Sequence, residues 1–201
     1  MRNKGRARRE RPVASPLSVL CLGVSSALTD GRPWSSLLVD GRILLEIPPT
    51  AVPELRRRRI ALEQLDCVLI SHFHADHVFG IPFLLLEYRI RSRRTAPILL
   101  VGPPGLQEFV ETLCHVAWRG ICADGPEPSG LATYVEVEAG KEIEVGEARV
   151  VAFPMAHYGL RAFGYRIAYR GRSIAYSGDT GPCPELEALL EGADAAILEY
   201  T

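Results

Sequence analysis

The 201-residue sequence contains no apolar run approaching the length of a membrane span, and its charged start lacks the apolar stretch of a secretory leader. It has no Cys-x-x-Cys pair; its five cysteines (Cys21, Cys67, Cys114, Cys122, Cys183) are odd in number and widely spaced. Neither a disulfide framework nor a zinc knuckle fits that pattern. Several lie in apolar runs, where cysteine acts as a small hydrophobe, and the expectation is a reducing, cytoplasmic setting. The Gly102-Pro103-Pro104-Gly105 turn is not a phosphate-binding P-loop, because no Gly-Lys-Ser/Thr follows it. No internal repeat or linker divides the chain, so one domain with a sizeable core is expected.

Net charge is −1, with 47% hydrophobic and 23% charged residues. Such a composition is that of an ordinary globular protein, with no general pull toward polyanions or acidic membranes. The balance hides an asymmetry. Residues 1–12 carry six basic side chains against Glu10, which leaves 17 basic and 23 acidic residues, a net of −6, for the rest. A short charged terminus is expected to be a disordered, solvated tail over residues 1–14, followed by a domain over 15–201. A nucleic-acid-touching arm is the alternative use of that tail.

Strand signals dominate the first half. Residues 17–22 are apolar and end at Gly23, while 35–39 and 42–47 flank Asp40-Gly41, a favoured pair for a tight type I′ hairpin. Pro48-Pro49 stops the second of these, and arginines 56–59 predict a solvated helix or loop face. Residues 67–71 read as a buried strand, and 78–90 as one buried helix with Pro82 in its first turn. Its basic end (Arg89, Arg91, Arg93, Arg94) complements a helix C-terminus; a site for an anionic substrate is the sharper reading. A strand over 98–101, a helix over 106–118 and a loop over 119–130 follow. Strands over 133–137, 149–153, 163–169 and 173–177, a short helix over 184–191 and a strand over 195–199 complete the chain.

Histidine is scarce, five in all, yet three fall within six residues. Ser71-His72-Phe73-His74-Ala75-Asp76-His77 directly follows a buried strand. His72 and His74 point the same way if the chain stays extended, and Asp76 and His77 fall in the next turn, where they can face a second position. Imidazole and carboxylate together suit a borderline-soft divalent ion, zinc first, with iron and manganese also fitting. Further donors must come from elsewhere. His115 sits in a helical pattern among apolar neighbours, where packing or a surface position accounts for it. His157 follows a strand in a loop, a place where a rigid scaffold presents ligands. Asp179 follows a strand that ends at Gly178; it reads equally as a ligand and as the N-cap of the helix beyond Gly181.

The pattern Ser71-His72-x-His74-x-Asp76-His77, with the later His157 and Tyr176-Ser177-Gly178-Asp179-Thr180, resembles the metallo-β-lactamase-fold hydrolases. Within them it is most similar to the branch of ribonuclease Z and related cyclic phosphodiesterases. Cys21-Leu22-Gly23, the Gly102-to-Gly105 turn, Phe163-Gly164-Tyr165-Arg166-Ile167 and Glu199-Tyr200-Thr201 extend the likeness along the chain. The resemblance implies an α/β fold, the metallo-β-lactamase αββα sandwich, short of its last strand and helix. It implies a binuclear centre, with His72, His74 and His157 on one ion, Asp76 and His77 on the second, and Asp179 bridging both. Glu199 would orient a ligand imidazole through its other nitrogen. Two divalent ions, zinc or alternatively manganese or iron, would activate a hydroxide to cleave a phosphodiester, and Asp76 would steer the attacking water. The substrate would be a small cyclic or linear phosphodiester or RNA. Hydrolysis of a lactone, thioester or sulfate ester is the alternative use of the same cluster, and a catalytically inactive form a third.

The family places one more histidine on the second ion, beyond the bridging aspartate. In the given sequence 22 residues follow Asp179 and none is histidine, so a C-terminally truncated form is expected, with exposed core surface that favours association, a homodimer included. The family's long arm for gripping transfer RNA would lie between His157 and Asp179. These are 22 positions apart and 163–177 is spent on a hairpin, so smaller phosphodiesters fit better than transfer-RNA processing.

Overall fold

In the computed structural model, which describes residues 17–29, 31–91, 94–118 and 130–199, the apolar runs of the first half form one sheet buried on both faces. Strands β1 (Val19–Gly23), β2 (Ser36–Val39) and β3 (Ile43–Leu45) make an antiparallel meander. Asp40 and Gly41 join the last two with φ of 48° and 72°, the pair of positive values that a type I′ turn demands. Strands β4 (Cys67–Leu69), β5 (Ile98–Gly102) and β6 (Ala132–Glu136) extend the sheet in parallel. The second sheet contains β7 (Glu142–Val145), β8 (Ala148–Met155), β9 (Ala162–Tyr169), β10 (Arg172–Tyr176) and β11 (Ala195–Ile197). Its order is β11-β10-β9-β8-β7, antiparallel except for the parallel pair β10 and β11.

Alternation along the strands splits the core in two. Leu37, Val39, Leu45 and Leu69 face the second sheet, where they meet Val150, Tyr165 and Ile167. Leu38, Leu44, Val68 and Leu100 face the opposite way, against helices α1 (Ala51–Arg57), α3 (Ile81–Ile90) and α4 (Leu106–Ala117). A single turn, α2 (Ala75–Val78), precedes α3. The outer face of the second sheet is covered by α5 (Pro184–Leu190), whose Leu189 packs on Met155, Ala162 and Ala175. The result is the expected αββα sandwich. Tyr165 ties the sheets together by donating its hydroxyl to the Ile70 carbonyl at 2.5 Å, beside a backbone bond from Phe163 N to Ser71 O at 3.0 Å.

Two expectations need correction. The helix over 78–90 is two pieces: the chain breaks at Gly80, whose N–H donates to Ile47 O at 2.8 Å, and Pro82 then occupies the first turn of α3. Strand β7 was not expected, because Glu142 and Glu144 dilute its apolar content; it is an edge strand, where charge is common. The tail over 1–14, the loop over 119–129 and Tyr200-Thr201 lie outside the described residues. Among the described residues no helix is long and apolar enough to cross a membrane.

Candidate metal centre

Strands β3, β4, β8, β10 and β11 all end at one edge of the sandwich, and each is followed there by a polar side chain: Glu46, His72, His157, Asp179 and Glu199. After β4 the backbone stays extended as far as His74, the N-cap of α2, with φ −67° and ψ 147°. Asp76 and His77 then sit on the single helical turn. Gly178 lets the loop after β10 close on this segment: its φ is +59°, and a Cβ there would lie 2.6 Å from the Cβ of Ser71.

The cluster is tightly drawn. His72 is fully buried and its Nδ1 lies 2.9 Å from Ser71 Oγ, so that Nε2 faces the other side chains. The His72 ring centroid is 4.6 Å from those of His74 and His157 and 4.3 Å from that of His77. One donor atom from each of His72, His74, His157 and Asp179 falls within 4.8 Å of the others, and a second such set is His77, Asp179 and Glu199. Asp179 belongs to both. Its Oδ2 is 3.8 Å from His72 Nε2 and 3.7 Å from His157 Nε2, while Oδ1 is 3.2 Å from His77 Nε2. Asp76 joins neither set; its Oδ2 lies 3.9 Å from His77 Nε2. His115 is exposed in the last turn of α4 and joins neither set. The N-cap alternative for Asp179 falls away, because the N-cap of α5 is Cys183.

One residue at the cluster was missed. Glu46 is completely buried at the end of β3, in a left-handed conformation with φ 58°. Its carboxylate accepts from Ser71 N–H at 3.2 and 3.3 Å and from the Tyr176 hydroxyl at 3.1 Å. Its Oε2 lies 3.6 Å from His77 Nδ1, the nitrogen turned away from Asp179. Glu199 was expected to orient an imidazole, but the carboxylate behind His77 is Glu46, and Glu199 stands with the donors instead. The available signal was an acid within the apolar stretch 42–47, just before Pro48-Pro49.

Electrostatics divide the imidazoles. Burial holds His72 down to about 3, and the neighbouring His77 adds to the effect; burial also lowers His157. His77 is pushed up to about 11: burial opposes its charge, but hydrogen bonding and charge attraction from Asp179 and Glu46 outweigh it. Burial raises Asp179, yet the His77 interaction holds it below the usual carboxylate range, while burial and the adjacent Asp179 push Glu199 up. His72 and His157, neutral beside the ionised Asp179, have the protonation state that metal ligands require, whereas His77, held charged in the metal-free fold, would give up its proton on binding. His72 Nε2 is buried without a hydrogen-bond partner, and Asp179 Oδ1 has only His77 Nε2 beside it, at 3.2 Å. Leaving a buried polar atom unpaired costs about 1–3 kcal/mol. Three nitrogens and a carboxylate at this spacing are a fitting cradle for a divalent ion.

Comparison with known proteins agrees with this geometry. Ribonuclease BN of Escherichia coli O157:H7 is 29% identical over 188 aligned positions, covering 69% of this chain and 59% of the relative. The chain thus spans 59% of the length of the curated relatives it first matches. The metallo-β-lactamase fold protein YhfI of Bacillus subtilis superposes with a TM-score of 0.72 at 16% identity, over 90% of this chain and 70% of that one. The short form of human tRNase Z gives 0.69 at 23% identity, over 89% and 76%. The β-lactamase superfamily domain model matches residues 40–201, and the chain belongs to that superfamily.

Proposed function

We propose that this chain is a metal-dependent hydrolase that cleaves phosphodiester bonds. Two divalent ions, zinc as first choice, would be held by His72, His74, His157 and Asp179 on one side and by His77, Asp179 and Glu199 on the other. The observation that carries the reading is Asp179, one carboxylate common to two donor sets. Divalent ions in such a pair supply Lewis acidity, acidifying a water nucleophile and offsetting charge on phosphoryl oxygens. The protein's own groups set the geometry. Ser71 holds the outward nitrogen of His72 at 2.9 Å and the Glu46 carboxylate stands 3.6 Å behind that of His77, so their Nε2 atoms face Asp179. Asp76, with 23% of its side chain exposed and outside both sets, orients the attacking water.

Similarity to ribonuclease BN supports a phosphodiester over a lactone, thioester or sulfate ester. The β9–β10 hairpin occupies the interval between His157 and Asp179, so no gripping arm rises there and a small phosphodiester or an RNA strand can approach. The test is metal content by elemental analysis of protein purified without chelator, followed by hydrolysis of bis-p-nitrophenyl phosphate against a lactone panel. Bound metal with turnover of the phosphodiester is the expected result. Turnover of lactones alone would replace the substrate class, and metal-free protein that cannot be reloaded would overturn the reading.

A further inference from the structure

Charge is spread unevenly over the described residues. At the ends of α1 and α3 lie six exposed arginines, Arg56, Arg57, Arg58, Arg59, Arg89 and Arg91, with two carboxylates between them, Glu54 and Glu87. The other described residues carry nine cationic and eighteen anionic side chains, so a cationic face stands on an otherwise acidic molecule. Each carboxylate is already shared. Glu87 pairs with both Arg56 and Arg91, which binds the two helix ends into one face, and Glu54 pairs with both Arg57 and Arg58. Arg59 and Arg89 have no ion pair among the described residues. A helix C-terminus carries about half a negative charge, so the two helix dipoles balance only a minor part of the excess.

Position adds to composition. Both helices begin near the metal centre, where Ile47 N donates to His77 O at 2.7 Å and Gly80 N to Ile47 O at 2.8 Å. They run away from it, and the ten residues of α3 reach about 15 Å.

We propose that this arginine face is an RNA-binding surface that grips the phosphate backbone of a single strand extending from the metal centre. The inference rests on the phosphodiesterase reading and names RNA as its substrate class. With the interval between His157 and Asp179 filled by a hairpin, RNA must be held elsewhere, and guanidinium groups pair phosphates in a forked geometry.

Binding of a labelled single-stranded RNA oligonucleotide would be followed by fluorescence anisotropy across a salt series, with the whole chain and with an Arg59→Glu, Arg89→Glu double variant. The reversals are expected to weaken affinity by about tenfold or more and to lower the salt slope by about two. Thermal melting and hydrolysis of bis-p-nitrophenyl phosphate should not change. Unaltered RNA affinity in the variant, with the small ester still cleaved, would overturn the surface and leave the phosphodiesterase reading intact. Loss of RNA affinity in the variant, with no phosphodiester cleaved by the parent, would support the surface and sink that reading. Reversal-sensitive binding to phosphatidylserine vesicles without binding to RNA would also overturn the proposal.

Discussion

At Asp179 a single carboxylate faces two donor sets, so its removal has a double effect. Asp179→Ala should lose both ions by elemental analysis, and a variant that keeps its full metal content would contradict the shared role. Glu46 acts from behind. Glu46→Ala leaves the Ser71 N–H and the Tyr176 hydroxyl unpaired in the core, at about 1–3 kcal/mol each, so the melting temperature should fall sharply. Glu46→Gln keeps volume and one acceptor; a milder melting loss with about 10–100-fold weaker metal affinity is expected from calorimetric titration. Asp76→Asn should retain its metal while kcat drops about 10²–10⁴-fold, as befits a group that handles the water rather than the ion. Sequence spacing was enough to single out His72, His74, His77, His157 and Asp179, which the fold brings into two donor sets, while Asp76 of the same motif stands outside both. Glu46 was illegible. A lone acid near a strand end looks like a surface residue until β4 and β10 close over it.

Between elements, the site depends on how near the loop after β10 comes to the loop after β4. Gly178→Ala would place a methyl group 2.6 Å from the Ser71 Cβ, in a backbone conformation with φ +59°. Left-handed geometry costs a non-glycine residue about 1–2 kcal/mol, and overpacking adds about 1–3 kcal/mol. A lower melting temperature together with impaired metal binding is the expected outcome, and a variant that melts and binds like the parent would show that the loops have room to separate. Most strands were readable from apolar runs and the Asp40-Gly41 turn. The helix over 78–90 was misread as continuous because its apolar pattern runs through Gly80, and only contact with Ile47 stops it. β7 escaped notice because pairing with β8, not its own composition, makes it a strand.

Across the whole molecule, pH should act on the chelator-stripped fold from both sides of about 6.5, the ordinary histidine value. His72 is lowered to about 3, so as pH falls from 6.5 toward 3 the unfolded chain gains a proton that the buried imidazole refuses, and stability drops. His77 is raised to about 11; its stabilisation is complete below 6.5 and is lost as pH rises from there through 11. Glu199, raised to about 8, loses its contribution as pH climbs from 4.5 through 8 and offsets the His72 gain below 6.5, so denaturant unfolding should show stability falling above about 6.5, and a profile rising steadily through that region would show that these groups do not govern it. By itself the sequence determined the sandwich and picked out most of the side chains that meet in the two donor sets, since strand periodicity and donor spacing are local properties of the chain. Only the tertiary structure decided that Asp179 is common to two sets, that Glu46 stands behind His77, and that α1 and α3 bring their arginines onto one face. These relations join segments twenty or more positions apart, and no local pattern encodes which of them will meet once the chain packs.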